Sequence, residues 1–485
     1  MIMCIALFLT ACGRQSEAEE YFETGDEYKP EIIGIQVPKD ELKTAEIQMA
    51  NIEGAYRVIL PPGSLTIDHF LDDLDYMVYV LENNFALLEV AYWAHGVDYR
   101  ILAANAREAI LNMDEPCEDM FLAIIFTHFF PLFGTGHFRI FDPDVYNHMR
   151  GWGYWGYSGP HRRMNVQLLH TPLALRFYDS RRQDQTAFIE AVQAVVDGLE
   201  QPISNRIFGT LLDDSEFRNP TAFTQVIEED RIGYIFAGSF ATLNNHRTQI
   251  FNFYHEIADF EHLIIDLRGN SGGSINQFLD ILLRPHLEEA IQAPRSFHFF
   301  MDGPHVRRFG DVLFSSTTMS GYLTIAEPYR PVHEILVEYY LPDARLPDFE
   351  RLRYGAPSGR AFARRTIVET YIYPSAVISD SQPAFNGKIW MLTDNRMGSA
   401  AQAAAWYSME TGFATHVGDT TGGVLGGPRT SVLMPNTGVV FYFDIFYITD
   451  ARGRPLEAGT IPHHFNRPDM DALETVLALI EEGDY

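Results

Sequence analysis

The sequence predicts an α/β protein preceded by an α-helical region, and two patterns predict it. From Arg231 onward, strand-length apolar runs alternate with helical ones, whereas between Thr66 and about residue 130 apolar residues recur at three- and four-residue spacing. Alternation of the first kind builds a sheet with helices on its faces. The composition is that of a folded chain: 485 residues, 46% hydrophobic and 13% aromatic, with 36 Gly and 26 Pro, which excludes collagen, coiled coil and wholesale disorder.

The order of elements begins with an apolar run, Met1 to Thr10, leading into Leu9-Thr10-Ala11-Cys12. The run is far shorter than the roughly 20 residues a membrane-spanning helix needs. It resembles a bacterial lipoprotein signal over residues 1–12, and that resemblance implies cleavage before Cys12, a lipid on Cys12, and a place on the extracytoplasmic face of the bacterial cell membrane. Residues 13–50 carry ten acidic side chains against four basic ones and read as a solvated acidic tether. With Cys12 lipidated and Cys4 removed, Cys117 is alone, so no internal disulfide is expected. It has no CxxC partner and reads as a small hydrophobe.

A helical N-terminal domain is expected over 51–150. Ile67, Phe70, Leu71, Leu74, Met77, Val78 and Leu81 mark its first helix, and others follow near 100–112 and 118–130. Residues 151–227 form a linking segment of uncertain character, with a possible strand at Val166 to Tyr178 and an amphipathic helix near 185–199. The α/β core is expected over 228–485. Its strands are Ile232 to Ile235, Leu263 to Leu267, Lys388 to Thr393, short ones at His416 and Val432, and one long strand from Val439 to Ile448. Helices fall near 241–258, 274–284 and Ser399 to Glu410. Residues 286–385, rich in Pro, Arg and aromatics, break the rhythm and read as an insertion or lid.

The formal net charge of −29 excludes nucleic acid as a partner, because so acidic a surface is repelled by a phosphate backbone. No HExxH or CxxC is present, and His463-His464 alone is too little for zinc, so neither metal nor cofactor is expected. His255 and His262 read as packing residues.

Two segments carry chemistry. The first runs from strand His262-Leu263-Ile264-Ile265-Asp266 into Leu267-Arg268-Gly269-Asn270-Ser271-Gly272-Gly273 and a helix beginning at about Ser274. Glycines let backbone N–H groups converge beside a helix N-terminus, where an oxyanion can be held. A plain structural turn would look the same, and no GxxxxGK[ST] is present to make it a nucleotide loop. The second is the strand ending at Thr393, then Asp394-Asn395-Arg396-Met397-Gly398-Ser399-Ala400-Ala401-Gln402. Ser399 opens an Ala-rich helix, where the dipole favours developing negative charge, although serine is also a preferred N-cap.

Taken in order, these two segments resemble the C-terminal processing protease and tricorn core family of serine peptidases. Gly418-Asp419-Thr420-Thr421-Gly422-Gly423 and Leu456-Glu457-Ala458-Gly459-Thr460-Ile461-Pro462 extend the resemblance, which covers 231–285 and 386–482. It implies a ClpP/crotonase-like βαβ catalytic core. The processing-protease branch pairs its serine with a lysine in the Gly-rich connection. Here that position holds Val424, and no Lys lies between Ser399 and the C-terminus. The tricorn-like, retinoid-binding-protein-like branch instead uses a histidine from the N-terminal part and a glutamate near the C-terminal turn.

Phe133-Gly134-Thr135-Gly136-His137 and Leu456-Glu457 match those positions, so the resemblance implies Ser399 as nucleophile, His137 as general base and Glu457 orienting it. The oxyanion would be met by the N–H of Ala400 and of Gly272 or Gly273. Three departures stand out: Thr135-Gly136 replaces Asp-Gly, the polar residue that tricorn-like enzymes carry next to this histidine is missing, and His463 replaces the Asp after the final Pro. The expected activity is hydrolysis of peptides or unfolded protein tails by an acyl-enzyme on Ser399. The competing expectation is a catalytically inactive binding protein on the same fold, disfavoured by the joint presence of Ser399, His137 and Glu457.

Overall fold

The computed structural model describes residues 59–61, 63–152, 165, 167–197, 207, 222–307, 329–357, 360–363, 366–369, 371–372, 384–425 and 429–483. The signal with Cys12, the tether over 13–50, and parts of the linking segment and insertion lie outside the described residues.

At the centre is a six-stranded sheet in the order His464–Phe465, Thr415–Gly418, Lys388–Thr393, His262–Asp266, Ile232–Ala237 and Ala222–Glu228. Its strands are parallel except for the last pair, which is antiparallel. A parallel sheet needs helices on both faces, which makes its strands apolar throughout. All five residues of His262–Asp266 are accordingly buried. Leu263 and Ile265 face the main core, while Ile264 packs with Trp390, Leu392 and Val417 against Val476, Leu479 and Ile480 of the C-terminal helix, Ala472–Glu482. This is the α/β core expected, with the serine helix Ala400–Thr411 following the strand Lys388–Thr393.

The expected N-terminal helices are present as Ile67–Asn84, Tyr99–Leu111 and Glu118–Phe129. Leu88–His95 and Pro143–Trp152 are additional helices. One apolar core runs from Leu65 and Phe70 of this region through the sheet to Leu456. Cys117, expected as a small hydrophobe, is exposed, because it stands outside the helix Glu118–Phe129 as its N-cap.

Two elements differ from expectation. Val166, the start of a possible strand reaching Tyr178, lies outside the described residues, and from Pro172 the segment is instead a helix, Pro172–Arg181, because Thr171 caps it by accepting from Ala174 N–H (3.4 Å) and Pro172 presets its first turn. The long strand expected over Val439 to Ile448 breaks at Ile445-Phe446. Its first half, Val440–Asp444, lies in a three-stranded antiparallel sheet between Arg139–Ile140 and Arg429–Leu433. Its second half, Tyr447–Asp450, pairs with Ser296–Phe300 in a separate four-stranded sheet that also holds Arg330–Pro331 and Tyr354–Pro357. Through Ser296–Phe300 the insertion is therefore joined to the C-terminal half by strand pairing.

Candidate active site

The first ring of the site is the junction of the two Gly-rich segments. Asp394 Oδ1 accepts from Gly269 N–H (3.0 Å), and Gly398 N–H donates to Asn270 O (3.3 Å). Asn270, fully buried, locks the first turn: its amide donates to Ala237 O (2.9 Å) and its carbonyl accepts from Gly272 N–H (2.8 Å). Gly272 must be glycine, since its φ is +113° and a Cβ there would stand 2.7 Å from Ser399 Cβ and 2.9 Å from Ala400 N. The turn thus lies directly against the candidate nucleophile.

Ser399 has φ 54° and ψ −122°, a conformation costly for any residue with a Cβ. Such strain persists only where the surroundings enforce it, and here Ser399 N–H is held by Val424 O at 2.8 Å. Its side chain does not cap the helix it opens, and its hydroxyl has no hydrogen-bond partner among the described residues. The capping alternative is therefore set aside for a half-buried, unengaged hydroxyl beside a helix N-terminus. Of the N–H groups expected to face an oxyanion, that of Gly272 is taken by Asn270. Those of Gly273 and Ala400 have no acceptor among the described residues.

His137 comes from a tight turn, Thr135–His137, with φ 48°. Its position follows from strand register: Arg139 pairs with Tyr442 and Ile140 with Phe441, so two residues outward on each strand His137 faces Asp444. The ring Nδ1 lies 2.7 Å from Asp444 Oδ2. The side chain of Asp444 is only 1% exposed, its Oδ1 has no hydrogen bond, and Arg429 Nε stands 3.9 Å from that oxygen.

Glu457 is brought to the same place by a different route. Fully buried in the turn Leu456–Ala458, it accepts from Gly136 N–H at 2.6 Å and faces the backbone of Val424 and Leu425. Burial is the main cause that pushes its carboxyl up to about 8, with the neighbouring Asp444 charge adding to the effect. The chain is packed so closely here that a Cβ on Gly423 would fall 2.0 Å from Glu457 O. A buried network extends the tie to the serine helix: Gln402 donates to Leu456 O and to Thr460 Oγ1, both at 3.1 Å, and accepts from Thr421.

The carboxylate on the imidazole is thus Asp444, whereas the glutamate expected to orient His137 is bonded to the backbone one residue before it. Asp444 was not singled out from the sequence. The available signal was its being the one charged residue in the run Val439 to Ile448, which reads VVFYFDIFYI. Asn270, Gln402 and Thr421 were likewise legible only as parts of motifs. Of the residues set aside as packing, His262 is buried and accepts from Trp390 Nε1 at 3.4 Å. Among the described residues no cluster of three or more His, Cys, Asp or Glu could hold a metal ion, and no helix is long and apolar enough to cross a membrane.

Residues 231–465 match the model of peptidase family S41. No curated protein matches the sequence. Among solved structures the chain is similar to mature CPAF complexed with lactacystin, at 13% identity over 87% of this chain and 100% of that one, TM-score 0.46. It is also similar to a lipoprotein from Streptococcus agalactiae (10% identity, 88% and 99% covered, TM-score 0.37). A third similarity is to the photosystem II D1 C-terminal processing protease (12% identity, 51% and 48% covered, TM-score 0.28).

Proposed function

We propose that the chain, whose residues 231–465 match the model of peptidase family S41, is a serine-type peptidase that hydrolyses peptides or unfolded protein tails through an acyl-enzyme on Ser399. His137 Nε2 takes the proton from Ser399 Oγ as the oxygen attacks the scissile carbonyl carbon. The negative charge that develops on the carbonyl oxygen is met by the N–H groups of Ala400 and Gly273, aided by the N-terminus of the helix Ala400–Thr411. Collapse of this intermediate breaks the C–N bond, and His137 returns its proton to the leaving amine. Water, deprotonated by the same imidazole, then releases the acyl group and restores Ser399.

The observation that carries this reading is the strained, uncapped Ser399 packed against Gly272 and Ala400. Glu457 supports the base through the backbone of Gly136, and its neighbours Gly423 and Val424 support the nucleophile. The position that holds lysine in the processing-protease branch is Val424, whose part here is to hold Ser399 through its carbonyl.

The direct test is hydrolysis of an unfolded protein such as reduced, alkylated casein by the chain beginning after Cys12. Wild type should cleave it and Ser399→Ala should not. Equal cleavage by the two would refute the assignment. We further propose from the sequence alone that Cys12 is lipidated and holds the enzyme on the outer face of the cell membrane. Expression in a bacterium should put the wild type in the membrane fraction and Cys12→Ala in the soluble one.

A further inference from the structure

The two buried acids beside His137 have different bonding, and the difference divides their roles. Asp444 Oδ2 contacts the ring nitrogen itself, at 2.7 Å, whereas Glu457 Oε1 contacts the backbone N–H of the preceding residue, at 2.6 Å. We propose that Asp444 is the positioning residue that orients the His137 ring and stabilises its imidazolium, and that Glu457 is a clamp joining the histidine turn to the Val424 segment. The proposal rests on the serine-peptidase reading above and departs from the role that resemblance gave Glu457.

Three observations support it independently of one another. The strand pairing Arg139 with Tyr442 and Ile140 with Phe441 aims Asp444 at His137 through the backbone, so the contact does not depend on a flexible side chain. The residue before His137 is Gly136, which has no side chain through which a glutamate could reach the ring. Its N–H instead binds Glu457 directly. Finally, the groups facing Asp444 suit a partner for the imidazolium: Arg429 stands 3.9 Å away on one side, and on the other the His137 ring lies at 2.7 Å and gains its charge on taking the Ser399 proton. Burial and, less strongly, the neighbouring negative charge push the carboxyl of Glu457, the other acid near Asp444, up to about 8. Raising the proton affinity of the second acid limits the repulsion between two like charges in one buried site.

A base whose Nδ1–H is held by a carboxylate loses about 10³ to 10⁴ in kcat when that carboxylate becomes an amide, because the wrong tautomer is stabilised. Glu457→Gln keeps an acceptor for Gly136 N–H and the same shape. The experiment compares Asp444→Asn, Asp444→Glu and Glu457→Gln with wild type and Ser399→Ala, measuring kcat and KM for one peptide from pH 5 to 9 and thermal melting as the folding control. Asp444→Asn should lose kcat on that scale with KM little changed. Its acid limb should move to lower pH, because the imidazolium loses its anion and the pKa of His137 falls. Asp444→Glu should regain part of the loss, and Glu457→Gln should stay within about 10-fold of wild type.

A second readout does not depend on turnover. A low-field imidazole proton resonance, assigned to His137 by its absence in His137→Ala, should vanish in Asp444→Asn and persist in Glu457→Gln. Near-wild-type kcat and an unshifted pH profile in Asp444→Asn, with Glu457→Gln as inactive as Ser399→Ala, would overturn the division of roles. Undiminished activity in Ser399→Ala would instead refute the serine-peptidase reading beneath it.

Discussion

The proposed site has a nucleophile half and a base half, and the two are built differently. The nucleophile half stands on the parallel sheet, where each component is a strand running into a turn and a helix: His262–Asp266 into Gly269–Gly273, Lys388–Thr393 into Ser399. Such a unit is local, so its residues are contiguous and its motif can be read from a few positions. The base half stands on a small antiparallel sheet in which Arg139–Ile140 pairs with a strand about 300 positions later in sequence, as the separation of 307 between His137 and Asp444 shows. No local pattern encodes that register. It exists because the N-terminal helices and the hairpin Arg429–Asp444 share one core.

The largest effects should come from cutting either half at its reacting atom. Ser399→Ala and His137→Ala should each lose activity on the order of 10⁴ to 10⁶, and the double variant should lose hardly more than either, since the groups act as a unit. Steady-state kinetics on one peptide checks this, and additive losses would show that the halves act separately. Next is the support of the nucleophile half. Gly272→Ala adds a Cβ 2.7 Å from Ser399 Cβ at a φ of +113°, so Ser399 or the turn must shift. The expected loss is roughly 10² to 10³ in kcat, that of a spoiled oxyanion hole, with melting temperature the control that separates it from unfolding.

The base half has its own support. Asp73 of the helix Ile67–Asn84 is fully buried and accepts from Asn436 N–H (2.9 Å), Thr437 N–H (2.8 Å) and Thr437 Oγ1 (2.6 Å), fixing the tip of the hairpin that ends at Asp444. Arg176 donates to Thr437 O at 2.9 Å from another helix. Asp73→Ala leaves the two N–H groups buried without an acceptor and should cost about 1–3 kcal/mol in denaturant unfolding. It should also lower kcat more than a destabilising change of equal size placed on the C-terminal helix.

The smallest effect distinguishes the two acids by pH. A carboxyl whose pKa is higher folded than unfolded binds a proton more readily folded, so its stabilising contribution is present at low pH and lost as pH rises. For Glu457 that window runs from its ordinary 4.5 to about 8. Glu457→Gln removes the titration, so its melting temperature relative to wild type should climb between pH 5 and pH 8. A constant difference would mean that Glu457 is ionised throughout.

Much of the architecture was legible because periodicity reports burial. Leu263 and Ile265 alternate with Ile264 on a sheet covered on both faces, and the spacing of Phe70, Leu74, Met77 and Leu81 marks one helix face. The segment Val166 to Tyr178 misled because its apolar residues suit either strand or helix, and the deciding signals were Thr171-Pro172 at its start. The run from Val439 to Ile448 misled more consequentially. Its alternation fits one strand, and nothing local shows that it leaves one sheet for another at Ile445-Phe446. Asp444 sits at that departure, where a buried charge would be costly without His137 and Arg429 beside it. The motif draws attention to Glu457, but its bonding to Gly136 belongs to tertiary packing.

The central claim is that Ser399 is an activated nucleophile with His137 as its base, and fluorophosphonate labelling with location of the adduct by mass spectrometry tests it most directly. Wild type should be modified on Ser399, and the modification should be absent in both Ser399→Ala and His137→Ala. A folded wild-type sample that takes no label at Ser399, or a His137→Ala variant labelled as fast as wild type, would contradict the account.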